Sequence, residues 1–183
     1  MTQLRFRKKK NEELGRLTPE EYHQTEKFPV TIVLDNVRSL NNIGSIFRTA
    51  DGFRAEELLL CGITATPPHR DIRKTALGAE EAVPWRYFPE TREAISELKK
   101  NGYRILSVEQ TENSISLERF SPKKGQHYAL VFGHEIRGVS QEVVEMSDTV
   151  IEIPQFGTKH SFNIAVSAGM VLWHLYLHWV DSK

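Results

Sequence analysis

The sequence has one cysteine, no net charge and no long uninterrupted apolar run. Cys61 stands alone among 183 residues, which excludes an internal disulfide and a cysteine-rich metal cluster. The 24 basic residues balance the 24 acidic residues, so no overall field attracts nucleic acid or a membrane. His174 and His178 interrupt the apolar segment near the C-terminus, and the N-terminus has no apolar signal core. We therefore expect a soluble protein of a reducing compartment, in the cytoplasm and without membrane attachment.

Common catalytic motifs are missing as well. The sequence has no GxxxxGK[ST] phosphate-binding loop, and no GxGxxG follows the first predicted strand. No GxSxG nucleophile elbow is present, which argues against a hydrolase with a Ser–His–Asp triad. His134 and His160 could suggest a metal site, but the sequence contains no HExxH motif. We expect no catalytic metal.

The length and the order of the apolar segments predict one α/β domain. A chain of 183 residues suits a single domain with short additions. Short, nearly continuous apolar runs are typical of strands that are buried on both faces, and helical patterns lie between several of them. This alternation predicts a mostly parallel sheet flanked by helices. The predicted strands are 30–34, 58–63, 103–108, 129–132 and 150–153.

We predict an extension at residues 1–27 and the main domain at residues 28–183. The extension starts with the run RFRKKK, whose basic side chains are Arg5, Arg7, Lys8, Lys9 and Lys10. Such a run is either a disordered, solubilising tail or a flexible contact for a polyanion. Further along, Thr18 as N-cap, followed by Pro19 and Glu21, forms a capping box and predicts a short helix.

The segment 64–85, TATPPHRDIRKTALGAEEAVPW, interrupts the strand and helix rhythm with three prolines. Long excursions of this kind are commonly functional, so we expect it to run around an active face. Ligands in parallel α/β sheets bind beyond the carboxyl ends of the strands. The segments that follow the predicted strands are therefore the places to search for a site.

The first of these segments is VLDNVRSLNNIGSIFRTADGF. We predict a helix from about Asn42, with Asn41 or Asn42 as its N-cap. Asn41, Ser45 and Arg48 then share a polar face that begins at the positive end of the helix dipole. This face is either a site for an anion or the solvated side of a capped helix.

Two further segments follow later strands. In LVFGHEIRGVS, Gly133 and Gly138 enclose a carboxylate, which suits a tight loop that a flat ligand can approach. In IEIPQFGTKHSFNIAVSAGMVLWHL, a Pro-Gln-Phe-Gly loop precedes a helix that Ser161 is predicted to cap. The small residues at the start of this helix permit close packing against a strand or against a partner subunit.

Taken in order, the three segments resemble the three sequence motifs of the SpoU/TrmH family, the 2′-O-ribose RNA methyltransferases of the SPOUT class. NNIGSIFRTAD resembles the first motif, FGHEIRG the second and IPQFGTKHSFNIAVSAG the third, and KTALGAEEAVPW also resembles part of the family. The match covers roughly residues 30–175. The resemblance implies a parallel α/β sheet with a C-terminal deep trefoil knot, a homodimer, and S-adenosylmethionine held in the knot.

The resemblance also implies which residues bind this cofactor, through their backbone groups at the ends of three strands. These are Val108, Gly133, Ile153, Ser161 and Phe162. At Gly133 a side chain would collide with the adenosine. Phe162 departs from the family pattern, in which leucine or methionine is commoner, and would reshape the adenine pocket slightly.

The catalytic residues that the resemblance implies are Arg48, Asn42, Glu135, Ser161 and Asn163. Arg48 matches the motif arginine proposed to act on the ribose hydroxyl, although arginine is an awkward base because its ordinary pKa lies above about 12. In the alternative, a cationic Arg48 binds the RNA phosphate, while phosphate, water or Glu135 receives the proton. The residues expected to contact RNA are Arg5, Arg7, Lys8, Lys9, Lys10 and Arg38.

The sequence thus favours an enzyme that methylates ribose in transfer or ribosomal RNA. A catalytically inactive RNA-binding or ribosome-assembly factor on the same fold is the alternative, and a different α/β nucleotide-binding enzyme is a weaker one. Which RNA and which nucleotide the protein would modify is not encoded in any motif that we find.

Overall fold

The computed structural model describes residues 6–181 and is built around one parallel sheet. The strands are β1 Phe28–Asp35, β2 Ala55–Cys61, β3 Trp85–Phe88, β4 Arg104–Val108, β5 Ile115–Ser116, β6 Tyr128–Gly133 and β7 Thr149–Glu152. The seven strands lie in the order β3-β2-β1-β6-β4-β7-β5, and each neighbouring pair is parallel. The predicted α/β fold is confirmed.

Helices cover both faces of this sheet. They are α1 Pro19–Gln24, α2 Leu40–Phe53, α3 Arg70–Ala76, α4 Ala79–Ala82, α5 Thr91–Lys100, α6 Gln141–Met146 and α7 Ile164–Asp181, with short 3-10 turns at Asn11–Leu14 and Leu117–Arg119. Ile32 and Leu34 of β1 pack with α2 and α7, whereas Val33 packs on the opposite face with α5 and α6. Burial on both faces explains why the strands read as continuous apolar runs.

The sequence prediction missed two strands and misplaced both ends of β2, which begins at Ala55 rather than at residue 58. β3 and β5 lie at the two edges of the sheet, and their partly exposed residues lack a continuous apolar run. β2 ends at Cys61 rather than at residue 63, and Ile63 is exposed. Edge strands and strand ends are the places where burial is weakest, so the apolar pattern indicates them least clearly.

Both helix caps predicted next to the site are wrong. Ser39 caps α2, and its hydroxyl accepts from the Asn42 N–H across 3.3 Å. At α7 the cap is Asn163, whose Oδ1 accepts from the Ala165 N–H across 2.9 Å. Ser161 lies before the helix. Several residues of cap-forming type stand in each segment, and tertiary contacts decide which of them serves.

The proline-rich segment 64–85 folds into α3 and α4, which pack against α2. Gly44 of α2 lies so close to α3 that a Cβ there would be 2.2 Å from the Ile72 carbonyl oxygen. The Thr75 hydroxyl donates to the Asn41 carbonyl across 2.9 Å. This excursion therefore holds the first turn of α2 in place.

The predicted capping box before the main sheet is confirmed. The Thr18 hydroxyl accepts from the Glu21 N–H across 3.2 Å, and the Glu21 carboxylate accepts from the Thr18 N–H across 2.8 Å. α1 packs against the core through Tyr22, whose hydroxyl donates to the Ala55 carbonyl across 3.2 Å. No helix within residues 6–181 is long and apolar enough to cross a membrane.

Candidate active site

A cavity of about 460 Å³ lies at the carboxyl ends of β4, β6 and β7. These three strands are neighbours in the parallel sheet, so their carboxyl ends meet at one edge. The predicted cofactor-binding residues all line this cavity, namely Val108, Gly133, Ile153, Ser161 and Phe162. Its volume is within the range of about 300–1,000 Å³ that is usual for small-molecule sites.

The glycine loop, residues 133–138, forms one wall of the cavity. It is closed by two backbone hydrogen bonds between His134 and Gly138, of 3.0 and 2.8 Å. A Cβ at Gly133 would lie 2.0 Å from the carbonyl carbon of Gly138, whose own φ is +69°. The protein's own backbone therefore already requires glycine at 133.

Glu135 of the glycine loop reaches across to the first turn of α2. Its carboxylate accepts from the N–H groups of Arg38 and Ser39, across 3.1 and 2.8 Å, and from Asn42 Nδ2 across 3.1 Å. Burial raises the pKa of Glu135, but these donors outweigh it and hold the pKa below its ordinary value. The carboxylate is therefore ionised at neutral pH and is a poor proton acceptor.

Asn42 joins Glu135 to the third segment. The Asn42 Oδ1 accepts from Asn163 Nδ2 across 3.1 Å, while Asn163 Oδ1 caps α7. Because each amide both donates and accepts, its orientation is fixed. The structure thus brings three of the five predicted catalytic residues into one hydrogen-bonded cluster at the cavity, and Ser161 lines the same cavity.

Arg48 is not part of this cluster. It is exposed, and it is not among the residues that line the cavity in the described part of the chain. It follows Asn42 by six positions on α2, which places it about 9 Å further along the helix axis. It shares a face of α2 with Asn41 and Ser45, as the helical spacing predicts.

The residues predicted to contact RNA lie in two places. Arg38 stands at the rim of the site, with its backbone N–H on Glu135 and its side chain exposed. In the N-terminal run, Lys8, Lys9 and Lys10 are exposed, whereas Arg7 forms an ion pair with Glu13 across 2.9 Å. Arg5 lies outside the described residues.

Sequence reasoning missed two carboxylates that hold the segment after the glycine loop. Glu109 follows β4, and its Oε2 accepts from the Val139 N–H across 2.9 Å. Asp35, the last residue of β1, accepts from the Ser140 N–H across 2.8 Å. Their position at the carboxyl ends of predicted strands was a signal that could have found them. Within residues 6–181 no group of three or more His, Cys, Asp or Glu could hold a metal ion.

The sequence profile of the SpoU rRNA Methylase family matches residues 29–173. The chain belongs to this family. The matched range contains all three segments that form the cavity, and the resemblance predicted from them is confirmed. In this member of the SpoU rRNA Methylase family, the motif residues other than Arg48 meet at the carboxyl edge of the sheet.

Individual relatives of this SpoU family member act on different RNAs. The chain is 31% identical over 144 residues to the 23S rRNA (guanosine-2′-O-)-methyltransferase RlmB of Neisseria meningitidis, covering 79% of this chain and 56% of that protein. It is 29% identical over 144 residues to the tRNA (guanosine(18)-2′-O)-methyltransferase of Thermus thermophilus, covering 79% of this chain and 72% of that protein. The chain thus spans little more than half the length of the Neisseria relative.

A solved structure supports the fold assignment. The AdoMet-bound rRNA methyltransferase from Sinorhizobium meliloti superposes with a TM-score of 0.77 and 25% sequence identity, covering 84% of this chain and 57% of that one. The sheet and helices of this chain are therefore those of a known SpoU-type fold.

Proposed function

We propose that the protein is an S-adenosylmethionine-dependent methyltransferase that acts on the ribose 2′-hydroxyl of tRNA or rRNA. The observation that carries this proposal is the meeting of all five predicted cofactor-binding residues in one cavity, with the Asn42–Glu135–Asn163 cluster beside them. The names of the Neisseria and Thermus relatives support the reaction type. The AdoMet-bound relative supports the cofactor.

The cavity suits S-adenosylmethionine. Val108, Phe132 and Ile153 give it an apolar side that fits an adenine ring, and Phe162 lies at the same cavity and is 39% exposed. The backbone groups of the glycine loop provide polar partners on the other side. When bound, the cofactor supplies a methyl group on a positively charged sulfur. No metal is needed for this displacement.

The residues of the cluster act mainly by orientation. Asn42 and Asn163 present amides of fixed direction at the cavity, and holding reactants in line lowers the barrier by several kcal/mol. Glu135 positions Asn42, and its lowered pKa makes it a poor base for the hydroxyl proton. This proton is then taken up by RNA phosphate or water.

We propose that Arg48 binds an RNA phosphate. Its exposure leaves the guanidinium open to a polyanion, and arginine keeps its charge and makes bidentate contacts to phosphate. Asn41 and Ser45 lie beside Arg48 on the same face of α2 and extend this polar surface. This is the phosphate-anchor alternative for Arg48.

We also propose a homodimer that forms through α7. Five apolar residues form the α7 stripe, each between 37% and 53% exposed: Val166, Met170, Trp173, Leu177 and Val180. They alternate at spacings of four and three residues, which places them along one side of the helix. The predicted trefoil knot remains a proposal as well, supported by the insertion of β7 between β4 and β5.

The division at residue 28 is also a proposal, with residues 1–27 as an RNA-contacting extension and residues 28–183 as the methyltransferase domain. Exposed Lys8, Lys9 and Lys10 support the RNA contact. Arg7 would have to leave Glu13 to take part. We place the protein in the cytoplasm, where its RNA substrates are found.

The testing experiment is incubation with tritiated S-adenosylmethionine and total RNA from a host that lacks this gene. We expect label at a defined ribose with the wild type and none with Arg48→Ala. A catalytically inactive RNA-binding factor would instead bind RNA without binding the cofactor. Calorimetric titration separates the two, because an absence of cofactor binding up to millimolar concentration contradicts the enzyme.

A further inference from the structure

Glu109 is a cavity carboxylate for which the proposed reaction has no role. It directly follows Val108 at the carboxyl end of β4, and it lines the cavity. Among the described residues that line the cavity, Glu135 is the only other one with a carboxylate. Glu135 already accepts from three donors at the start of α2.

The Glu109 carboxylate is held against the backbone of the glycine loop. Its Oε1 accepts from the Gln110 N–H across 2.8 Å, and its Oε2 accepts from the Val139 N–H across 2.9 Å. A Cβ on Gly138 would lie 2.0 Å from Oε2. A hydrogen bond therefore holds each carboxylate oxygen. The missing side chain at Gly138 leaves the space that the Glu109 carboxylate occupies.

An ionised carboxylate has about four acceptor positions and no donor. The two backbone N–H groups fill one position on each oxygen of Glu109. One position on each oxygen remains. Two adjacent hydroxyl groups are the donors that match two such acceptors, and acidic residues near strand ends bind ribose hydroxyls in this way in other nucleotide-binding sheets.

We propose that Glu109 accepts hydrogen bonds from the 2′- and 3′-hydroxyls of the cofactor's ribose and makes the site selective for a ribonucleoside. The inference rests on the proposed function, because it requires a nucleoside cofactor in this cavity. Glu109 is half-buried, and a bound cofactor would cover it further; an analogue that lacks the hydroxyls then leaves the covered acceptor without a partner and is rejected.

Calorimetry with S-adenosylhomocysteine and its 2′-deoxy and 3′-deoxy analogues tests the proposal. The wild type is expected to bind the ribose form about tenfold or more tightly than either analogue. Glu109→Gln should reduce this preference to about twofold. Glu109→Asp, which keeps the charge but shortens the reach, should also reduce it.

Glu152→Gln is the matched control. Glu152 ends the neighbouring strand β7, accepts from the Ser114 hydroxyl across 2.7 Å and does not line the cavity. Its substitution should leave the preference for the ribose form unchanged.

The outcomes separate the inference from the proposed function. Equal wild-type binding of all three ligands overturns the role of Glu109 and leaves the methyltransferase proposal standing. An equal loss of affinity for all three in Glu109→Gln also overturns it, because it shows a purely structural contact to Val139. A wild type that binds none of them overturns both. Equal wild-type binding of the three ligands would overturn the inference even if the variants did not fold, whereas the assignment to Glu109 rests on Glu109→Gln and Glu109→Asp.

Discussion

Asn42 and Asn163 are 121 positions apart in sequence, yet the amide of Asn163 donates to the amide of Asn42 across 3.1 Å. The contact joins the first turns of α2 and α7. Asn42 also donates to Glu135 of the glycine loop. One hydrogen-bonded cluster thus connects the three sequence segments on which the proposed reaction depends.

Asn163 has two tasks that a pair of substitutions can separate. Asn163→Asp keeps the oxygen that caps α7 but loses the N–H that Asn42 accepts. We expect methyl transfer to fall by about tenfold while the free energy of unfolding changes little. Asn163→Ala removes the cap as well and should destabilise the protein by about 0.5–2 kcal/mol. Equal activity of wild type and Asn163→Asp would contradict the role of this amide.

Gly133→Ala should disrupt the cavity wall. The added Cβ would overlap the backbone at Gly138, and forced overlap in a packed region destabilises by about 1–3 kcal/mol. We expect a lower melting temperature and a loss of cofactor binding. Gly52→Ala on α2 is the control, because a Cβ there meets no atom within 4 Å. That variant should be neutral or slightly more stable.

Glu135 makes the stability of the protein depend on pH. Burial raises the pKa of Glu135, but its N–H donors overcome this effect and lower the pKa from 4.5 on folding. The contribution of Glu135 to the free energy of unfolding is therefore fully present above its pKa in the unfolded chain. The contribution is lost as the pH falls through the lower folded value. The melting temperature of Glu135→Gln should therefore lie below that of the wild type near neutral pH, and the gap should shrink below pH 4.5. A gap that does not change with pH would show that charge is not involved.

Arg48→Lys keeps the charge but loses the planar fork that binds phosphate through two hydrogen bonds. We expect methyl transfer to fall by about tenfold or more, with weaker RNA binding. Because Arg48 is exposed, stability should change by less than about 0.5 kcal/mol. Cofactor affinity, measured by calorimetry, should stay at the wild-type value. A selective loss of cofactor affinity would place Arg48 in a different role.

Leu177→Glu tests the proposed dimer. Leu177 is 43% exposed in the α7 stripe, and a carboxylate there would be buried against its counterpart in a two-fold interface. We expect sedimentation to show a shift from dimer to monomer. Ile63→Glu is the control, because Ile63 is 62% exposed and lies outside the stripe. If Leu177→Glu sediments as the wild type does, the interface lies elsewhere.

The sequence by itself determined the main elements and the composition of the site. Apolar runs identified β1, β2, β4, β6 and β7, and most clearly β1 and β6, because burial on both faces leaves a local pattern. The resemblance to the family motifs implied the cofactor-binding residues, and these lie together because the carboxyl ends of parallel strands meet at one edge of a sheet. Val108, Gly133 and Ile153 can be grouped in this way because each stands at or next to the end of a predicted strand.

Only the tertiary structure decided how these segments meet. The position of β6 between β1 and β4 places the glycine loop opposite α2, and strand order is not written in any local pattern. Ser39 caps α2 because the helix begins at Leu40, which places Asn41 and Asn42 inside the first turn, where the Asn42 side chain bonds Glu135 and Asn163. The contact that holds the Glu109 carboxylate at the cavity comes from the Val139 N–H, 30 positions away. Hydrogen bonds between residues so distant in sequence depend on packing of the whole chain, and no local propensity contains that information.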